Sequence, residues 1–314
     1  MAAPVITVIV PGFDVAAYAA EALDSLRAQT RPDWTAILVD DGSTDATGAV
    51  FDAAAAADAR LRVVHHARRR GLGAARNTGL DLVETPLVGF LDADDVLTPR
   101  ALERLVGALD ASGSDFAVGA YVRLRPDSSG GYAPGDVQPW VAAATAPERR
   151  GTTIDRHPEA CGNIVAWSKV SRIDFWRRAG LRFPEGRLYE DQLVAQRMYT
   201  AARAFDVVPD VVVHWRERAD ASSITQHQHE LTVLHDYLDA LLGGIAVLEA
   251  ADQPAAVRAR VRLIQEMDLV PLVEIARTHP DDAYRRALGA FSRELAAHAA
   301  DLPPSPGLSA AALW

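Results

Sequence analysis

One cysteine, Cys161, and one lysine, Lys169, occur in 314 residues. A lone thiol excludes an intramolecular disulfide framework and suits a reducing cytoplasm. All other basic residues are arginine, a bias of genome composition more than of physics, which makes Lys169 the exception. Positive charge is in deficit. The formal net charge of −10 and a pI near 5.4 argue against nucleic acid as the principal partner. No apolar stretch approaches the roughly 20 residues needed to span a bilayer. The apolar N-terminal run Val5-Ile6-Thr7-Val8-Ile9-Val10 lacks a basic flank and a small-residue cleavage site, so it reads as a core strand and not as a signal peptide. What remains, 49% hydrophobic and 24% charged, is an ordinary globular composition. The length allows one large α/β domain or two smaller ones.

The first third alternates strand and helix. Strands are expected at residues 5–10, 35–39, 61–65 and 87–91, with helices at 16–29, 47–58 and 71–82 between them. This rhythm implies a mostly parallel, twisted sheet with helices on both faces. Ligands of such sheets bind outside the carboxyl ends of the strands. Residues 125–162, rich in Pro, Gly, Ser and Asp, read as a long flexible insertion, a lid or an acceptor-binding segment. A helix at 191–204 and a strand at 207–215 follow, and from about residue 226 the pattern is purely helical. Leu231, Leu234, Leu238, Leu241, Ile245 and Leu248 form a seam that another helix must cover, and Tyr284, Leu288, Phe291 and Leu295 offer a matching stripe. Pro271 is expected to kink the helix at 255–277. Residues 303–314 read as a linker-like tail, as in a longer multidomain chain.

The strongest chemical signal is Asp92-Ala93-Asp94-Asp95 directly behind the apolar run Leu87-Val88-Gly89-Phe90-Leu91. Like charges that close repel in a partly dry cleft, so the cluster makes sense if a cation joins it. Oxygen-only ligands with positions left free suit Mg²⁺ or Mn²⁺ holding a substrate diphosphate. An Asp-rich turn capping the helix after Thr98-Pro99-Arg100 is the plainer alternative. Gly71-Leu72-Gly73-Ala74-Ala75-Arg76 is not a dinucleotide fingerprint. Arg76 takes the third glycine's place, and the run follows the third strand.

Read in chain order, Val10-Pro11-Gly12-Phe13-Asp14, Val39-Asp40-Asp41-Gly42-Ser43-Thr44-Asp45, Gly71 to Leu80, Phe90 to Asp95 and Tyr189-Glu190-Asp191-Gln192 together resemble the inverting family 2 glycosyltransferases. The resemblance covers roughly residues 5–225 and implies a GT-A fold followed by a C-terminal helical segment at 226–302. It implies a donor nucleotide sugar, most simply a UDP sugar, and a carbohydrate or polyol-phosphate acceptor such as a cell-wall or teichoic acid polymer. It also implies a cytoplasmic site of action, with peripheral contact at the inner face of the membrane. By the same resemblance Pro11, Phe13 and Asp14 lie against base and ribose, and one of Asp40 and Asp41 accepts from the base. The family more often has Asn where this chain has Asp14. Arg76 reaches a phosphate or ribose, or pairs with a carboxylate such as Asp94. Asp92 holds the ribose hydroxyls and Asp94 binds the metal, with His214 a further ligand. Arg216, Arg218 and Ser223 belong to a segment that closes over the diphosphate. Lys169 and Trp167 line the acceptor side, and Asp191, beside Glu190, is the base that deprotonates the acceptor. The basic run Arg68-Arg69-Arg70 reads as a solvated turn.

Two other classes share some of these features. A non-catalytic nucleotide-sugar scaffold would keep Asp40 and Asp92 without needing Asp191. A nucleotidyltransferase would show a glycine-rich basic segment after the first strand, where this chain has Pro11-Gly12-Phe13-Asp14.

Overall fold

In the computed structural model, residues 3–219, 227–298 and 300–314 are described. The expected alternation forms as β1 (Ile6–Gly12), α1 (Ala16–Arg27), β2 (Trp34–Asp40), α2 (Thr47–Ala57), β3 (Leu61–His65), α3 (Leu72–Asp81) and β4 (Leu87–Phe90). Helices cover both faces of these strands, so β1 carries a β-branched run from Ile6 to Val10 and buries every residue. In α1, Ala19, Ala22, Leu23 and Leu26 form the single buried stripe that such packing needs.

The chain continues through β5 (Val96–Leu97), α4 (Ala101–Ser112), β6 (Phe116–Pro126), β7 (Tyr132–Pro134), α5 (Pro139–Thr145), β8 (Arg149–Thr152), β9 (Lys169–Arg172), α6 (Ile173–Arg178), α7 (Glu190–Ala201) and β10 (Phe205–Arg216). Ten strands form one sheet of order β3-β2-β1-β4-β9-β6-β10-β5, with β7 on β6 and β8 on β10. The longer pairings, β1 with β2 and β6 with β10, are parallel. The short strands β5, β7, β8 and β9 pair antiparallel. Pro209 is tolerated within β10 because the register shifts between Val208 and Val211, where a ladder bond is already lost.

Residues 125–162 are therefore not a structureless insertion. They hold β7, α5, β8 and a 3₁₀ turn, Pro158–Gly162, with Val141, Ala160 and Cys161 in the core.

The helical remainder comprises α8 (Leu231–Ala250), α9 (Pro254–Leu263), α10 (Leu269–Thr278), α11 (Asp282–His298) and α12 (Pro306–Ala311). α8 is 20 residues long with a mean hydropathy of 1.5, long and apolar enough to cross a membrane by length and composition. The sequence reading of no such stretch is corrected on that point. Within the chain, Leu234, Leu241, Ile245 and Leu248 on α8 are fully buried. Packing against α7, α9 and α11 covers the seam, and Tyr284, Leu288, Phe291 and Leu295 are buried as its expected partners.

The proline effect takes an unexpected form. Pro271 has no N–H, and its ring crowds the carbonyl four residues back. The chain widens upstream into a π-helical turn, Ile264–Asp268, where the Leu269 N–H reaches Ile264 O. Residues 303–314 are also not a free linker. Leu308 and Ala311 are buried, and α12 packs against α10 and α11.

One glycine lets the two halves of the sheet share a site. A Cβ on Gly73, in the first turn of α3, would lie 2.1 Å from Pro184 O, so α3 and the chain leading to α7 could not touch. Gly73→Ala is expected to cost about 1–3 kcal/mol, the usual range for overpacking. Thermal and denaturant melts read this directly. An unchanged melting temperature would show that the two segments separate freely.

Candidate active site

Parallel register aligns the carboxyl ends of the first strands. Gly12 on β1 faces Asp40 on β2, and Asp40 faces His65 on β3. The loops beyond are stitched to those ends. The Asp41 N–H donates to Gly12 O at 2.9 Å, and the Ala93 N–H to Pro11 O at 3.1 Å. Pro11, Phe13, Asp14, Asp40, Asp41, Asp92 and Asp94 thus lie at or just beyond the carboxyl ends of neighbouring strands, the side on which the ligand crevice of such sheets lies.

Arg76 forms the centre. It is 1% exposed, and Nη1 donates to Glu190 Oε1 at 2.6 Å while Nη2 donates to both oxygens of Asp92 at 2.8 and 3.0 Å. Its sequence-derived partner Asp94 is replaced by Asp92 and Glu190. Burial disfavours its charge, yet Asp92, Glu190 and Asp191 together hold it above the ordinary guanidinium value. Glu190 is buried, and desolvation pushes its carboxyl up to about 7 against the pull of Arg76. Desolvation also raises Asp191, with Arg76 and Lys169 opposing and Asp92 adding. Both acids begin α7, after Tyr189, whose φ of 57° is rare for a bulky residue. Asp191 and Lys169 line one small cavity of about 10 Å³ with Phe90, Val194 and Met198. Among the described residues, no other side chain is bonded to the Asp191 carboxylate.

The acidic cluster is held from the opposite side. Asp95 is 1% exposed and accepts the Arg216 N–H at 2.7 Å. Burial, then the charges of Asp94 and Asp92, raise its carboxyl well above the usual range. Burial likewise raises Asp94, against the attraction of Arg218, whose Nε donates to Asp94 at 2.8 Å. The cluster does not cap α4.

These residues fit a divalent ion in a particular way. Their donors are hard oxygens, and desolvation penalises their clustered negative charge. Asp92, Asp94 and His214 do not form a three-ligand group among the described residues; the group that does is His227, His229 and Glu230. An ion at Asp94 would therefore draw most of its ligands from substrate phosphates and water, which is how Mg²⁺ is usually held. His214 is half-buried, and burial lowers its imidazole pKa.

Several sequence-derived roles need revision. Arg216 is buried and committed, with Nε on Asp94 O at 2.7 Å, Nη2 on Glu21 at 2.6 Å and its guanidinium over the Tyr132 ring at 4.3 Å. These contacts anchor the loop. Lys169 is buried with Nζ on Asn163 O, Asn163 Oδ1 and Val165 O at 2.8, 2.8 and 2.6 Å. Burial pulls its ammonium down to about 7 while Asp191 opposes. Trp167 is a core residue packed on Tyr121 and Trp215, so Trp215 is the more exposed ring of that cluster. The Asp14 carboxylate accepts from the N–H groups of Thr44 and Asp45 at 2.7 and 3.2 Å, and its φ of 49° is one that Asn and Asp tolerate best. Ser223, with Ser222, Ile224 and Thr225, lies outside the described residues.

Three residues near these strand ends, His65, His66 and Tyr132, are given no role by the sequence reading, and a fourth, Arg69, is read there only as part of a solvated turn. His65 Nδ1 is 2.9 Å from Asp40 Oδ2, and His66 Nδ1 is 2.7 Å from Asp41 Oδ1. Asp41 also accepts from the N–H groups of Arg70 and Gly71. Arg69 stacks its guanidinium 4.2 Å above the Phe13 ring, and Tyr132 sits against Arg216. The parallel register of β2 and β3 could have flagged the two histidines, since their strand ends are adjacent.

The His65–Asp40 pair generates a direct test. Burial works against the Asp40 carboxylate, but bonds from Ser43 and His65 outweigh it and hold its pKa low. The bond to Asp40, then that to Asp52, raises His65 above its ordinary 6.5. A raised histidine stabilises the fold fully below its unfolded value, and that contribution fades as pH rises through the folded one. In an NMR titration the His65 midpoint should lie above 6.5 and fall in Asp40→Asn. A midpoint that ignores the substitution would dissolve the pair.

Residues 7–162 match the family described as Glycosyl transferase family 2. EpsJ of Bacillus subtilis, described as an uncharacterized glycosyltransferase, is 29% identical over 219 residues, or 69% of this chain and 62% of EpsJ. The aligned region thus spans under two thirds of that relative's length. Other curated relatives are named for succinoglycan and teichuronic acid biosynthesis. Among solved structures, S. aureus TarS 1–349 in complex with UDP-GlcNAc superposes with a TM-score of 0.72 at 20% identity, covering 92% of this chain and 81% of that one. The mannosyltransferase PcManGT from Pyrobaculum calidifontis, in complex with GDP-Man and Mn²⁺, gives 0.55 at 22% identity, covering 99% and 86%. The ordered motifs, the strand-end crevice and these likenesses converge: the chain has the GT-A fold and carries a glycosyl transferase family 2 domain over residues 7–162.

Proposed function

We propose that the protein is a metal-dependent, inverting glycosyltransferase that moves a sugar from a nucleotide donor, a UDP sugar in the first instance, to a hydroxyl of a carbohydrate or polyol-phosphate acceptor. The observation that carries this reading is the division within the acid pair. Glu190 is committed to Arg76, whereas Asp191 is half-buried without a bonded side chain among the described residues. Its raised pKa suits a group that takes up a proton. The donor class is supported by TarS, solved with UDP-GlcNAc, and by PcManGT, solved with GDP-Man. The acceptor class rests on relatives named for polysaccharide biosynthesis. A cytoplasmic site of action, at the inner membrane face for polymer acceptors, belongs to the same reading.

Asp191 takes the acceptor proton as the acceptor oxygen attacks C1 from the face opposite the diphosphate. The C1–oxygen bond to the diphosphate breaks in the same displacement. Arg76 stays charged throughout and keeps Asp92 turned toward the donor ribose. Pro11 and Phe13 flank the base. Asp40, with one partner on each oxygen, retains a lone pair for a base N–H, whereas Asp41 is spent on the Gly71 turn. Arg218 meets charge on the diphosphate. Asp94, with His214 near the same strand ends, would hold Mn²⁺ or Mg²⁺, which supplies Lewis-acid neutralisation of the departing diphosphate.

Asp191→Asn preserves size and helix-start character but removes the proton acceptor. Sugar reaching an acceptor should drop by about 10²–10⁴-fold, while UDP affinity and melting temperature hold. Unimpaired transfer would remove Asp191 as the base and would call for the same test at Glu190.

The metal is tested by calorimetry. UDP should bind tightly with Mn²⁺ or Mg²⁺, weakly after chelation, and weakly to Asp94→Ala under either condition. Equal affinity with and without chelator would remove the ion from this site.

A further inference from the structure

The acid-bearing turn is gripped at both ends by the C-terminal helices. Tyr189, in its left-handed conformation, packs its ring on Tyr237 of α8 with centroids 4.3 Å apart. Gln192, buried on the far side of Asp191, accepts from Arg260 Nη2 of α9 at 2.9 Å. Arg260 is 1% exposed and faces Asp268 Oδ2 at 3.5 Å, and Tyr237 donates its hydroxyl to Asp268 Oδ1 at 2.5 Å. The contacts close a ring from Tyr189 through Tyr237, Asp268 and Arg260 to Gln192, with Glu190 and Asp191 as the two residues between its ends. Asp268 lies in the π-helical turn that precedes Pro271.

We propose that Tyr237, Asp268 and Arg260 are positioning residues: the helical segment clamps the strained turn so that Asp191 keeps its aim at the acceptor while Glu190 stays on Arg76. The clamp rests on Asp191 being the base.

A bulky residue at positive φ persists only where its surroundings over-determine it. Here the surroundings come from helices that are remote in sequence and contribute no group to the crevice. A buried arginine–carboxylate pair is a weak source of stability compared with apolar packing, so its worth lies in fixing one arrangement. Arg260 Nε and Asp268 Oδ2 have no hydrogen-bond partner among the described residues, so the pair is not optimised for bonding alone. The charge–hydroxyl network joins α8, α9 and the π-helical turn to the acid-bearing turn at Tyr189 and Gln192.

Arg260→Met and the milder Tyr237→Phe, which keeps the ring against Tyr189, are compared with Asp191→Asn in the full chain. The clamp predicts that both variants lower kcat for transfer by about 10–100-fold, the scale of a small misplacement of a reacting group. KM for the donor and Kd for UDP should stay within about twofold, since neither variant touches the donor side. Combined with Asp191→Asn, Arg260→Met should add little, because the positioned group is already gone. Amide exchange at residues 188–193 should quicken in Arg260→Met whether or not Asp191 is the base. Full kcat in both clamp variants with an inactive Asp191→Asn would overturn the clamp and spare the base. Full transfer by Asp191→Asn would overturn the base itself. Unchanged exchange at 188–193, or full additivity in the double variant, would reduce the network to ordinary core packing.

Discussion

The buried Arg76 guanidinium is the constraint on which the site depends. It sits on α3, yet its partners are Asp92 beyond β4 and Glu190 at the start of α7. Three segments separated by up to 114 residues are thereby fixed at one point. Removing one partner of such a buried pair typically costs about 3–5 kcal/mol, because the remaining charge is left uncompensated. The geometry around it is permissive only because Gly73 has no Cβ to collide with Pro184. By committing Glu190, Arg76 also distinguishes two neighbouring carboxylates that are chemically almost equivalent.

The crevice carries more negative charge than its arginines neutralise. Asp92, Asp94, Asp95, Glu190 and Asp191 meet Arg76, Arg216 and Arg218, and burial raises four of these carboxyls. Arginine suits this duty because its fork holds a carboxylate by two bonds and cannot be discharged by burial. The single lysine is used differently. Lys169 is enclosed, bonded to three oxygens of residues 163–165, and acts on Asp191 through its charge alone. In the proposed mechanism, a substrate complex that brings its own cation would supply the missing positive charge.

Local signals were readable in the sequence and distant pairings were not. β1 to β4 could be placed because each is a short apolar run bounded by turn residues. β5, β7, β8 and β9 are two to four residues long, and they are strands only because neighbours pair with them. The Pro- and Gly-rich composition of residues 125–162 consequently suggested a loop where the sheet makes strands. In the site, the Asp92 cluster and Glu190-Asp191 announce themselves as strand-end and helix-start acids. Nothing local reveals that Arg76 bonds Glu190, that Arg216 is spent on Asp94 and Asp95, or that Lys169 turns inward. Those facts follow from tertiary proximity, and the residues most similar in type, Arg216 and Arg218, differ in role because one is enclosed.

The central claim is a single displacement at C1 with Asp191 as base. The stereochemistry of the product tests it most directly, read from the anomeric proton coupling of the freshly transferred sugar. The account predicts inversion: an axial C1–diphosphate donor gives an equatorial glycosidic bond. Retention of the donor's anomeric configuration would contradict it.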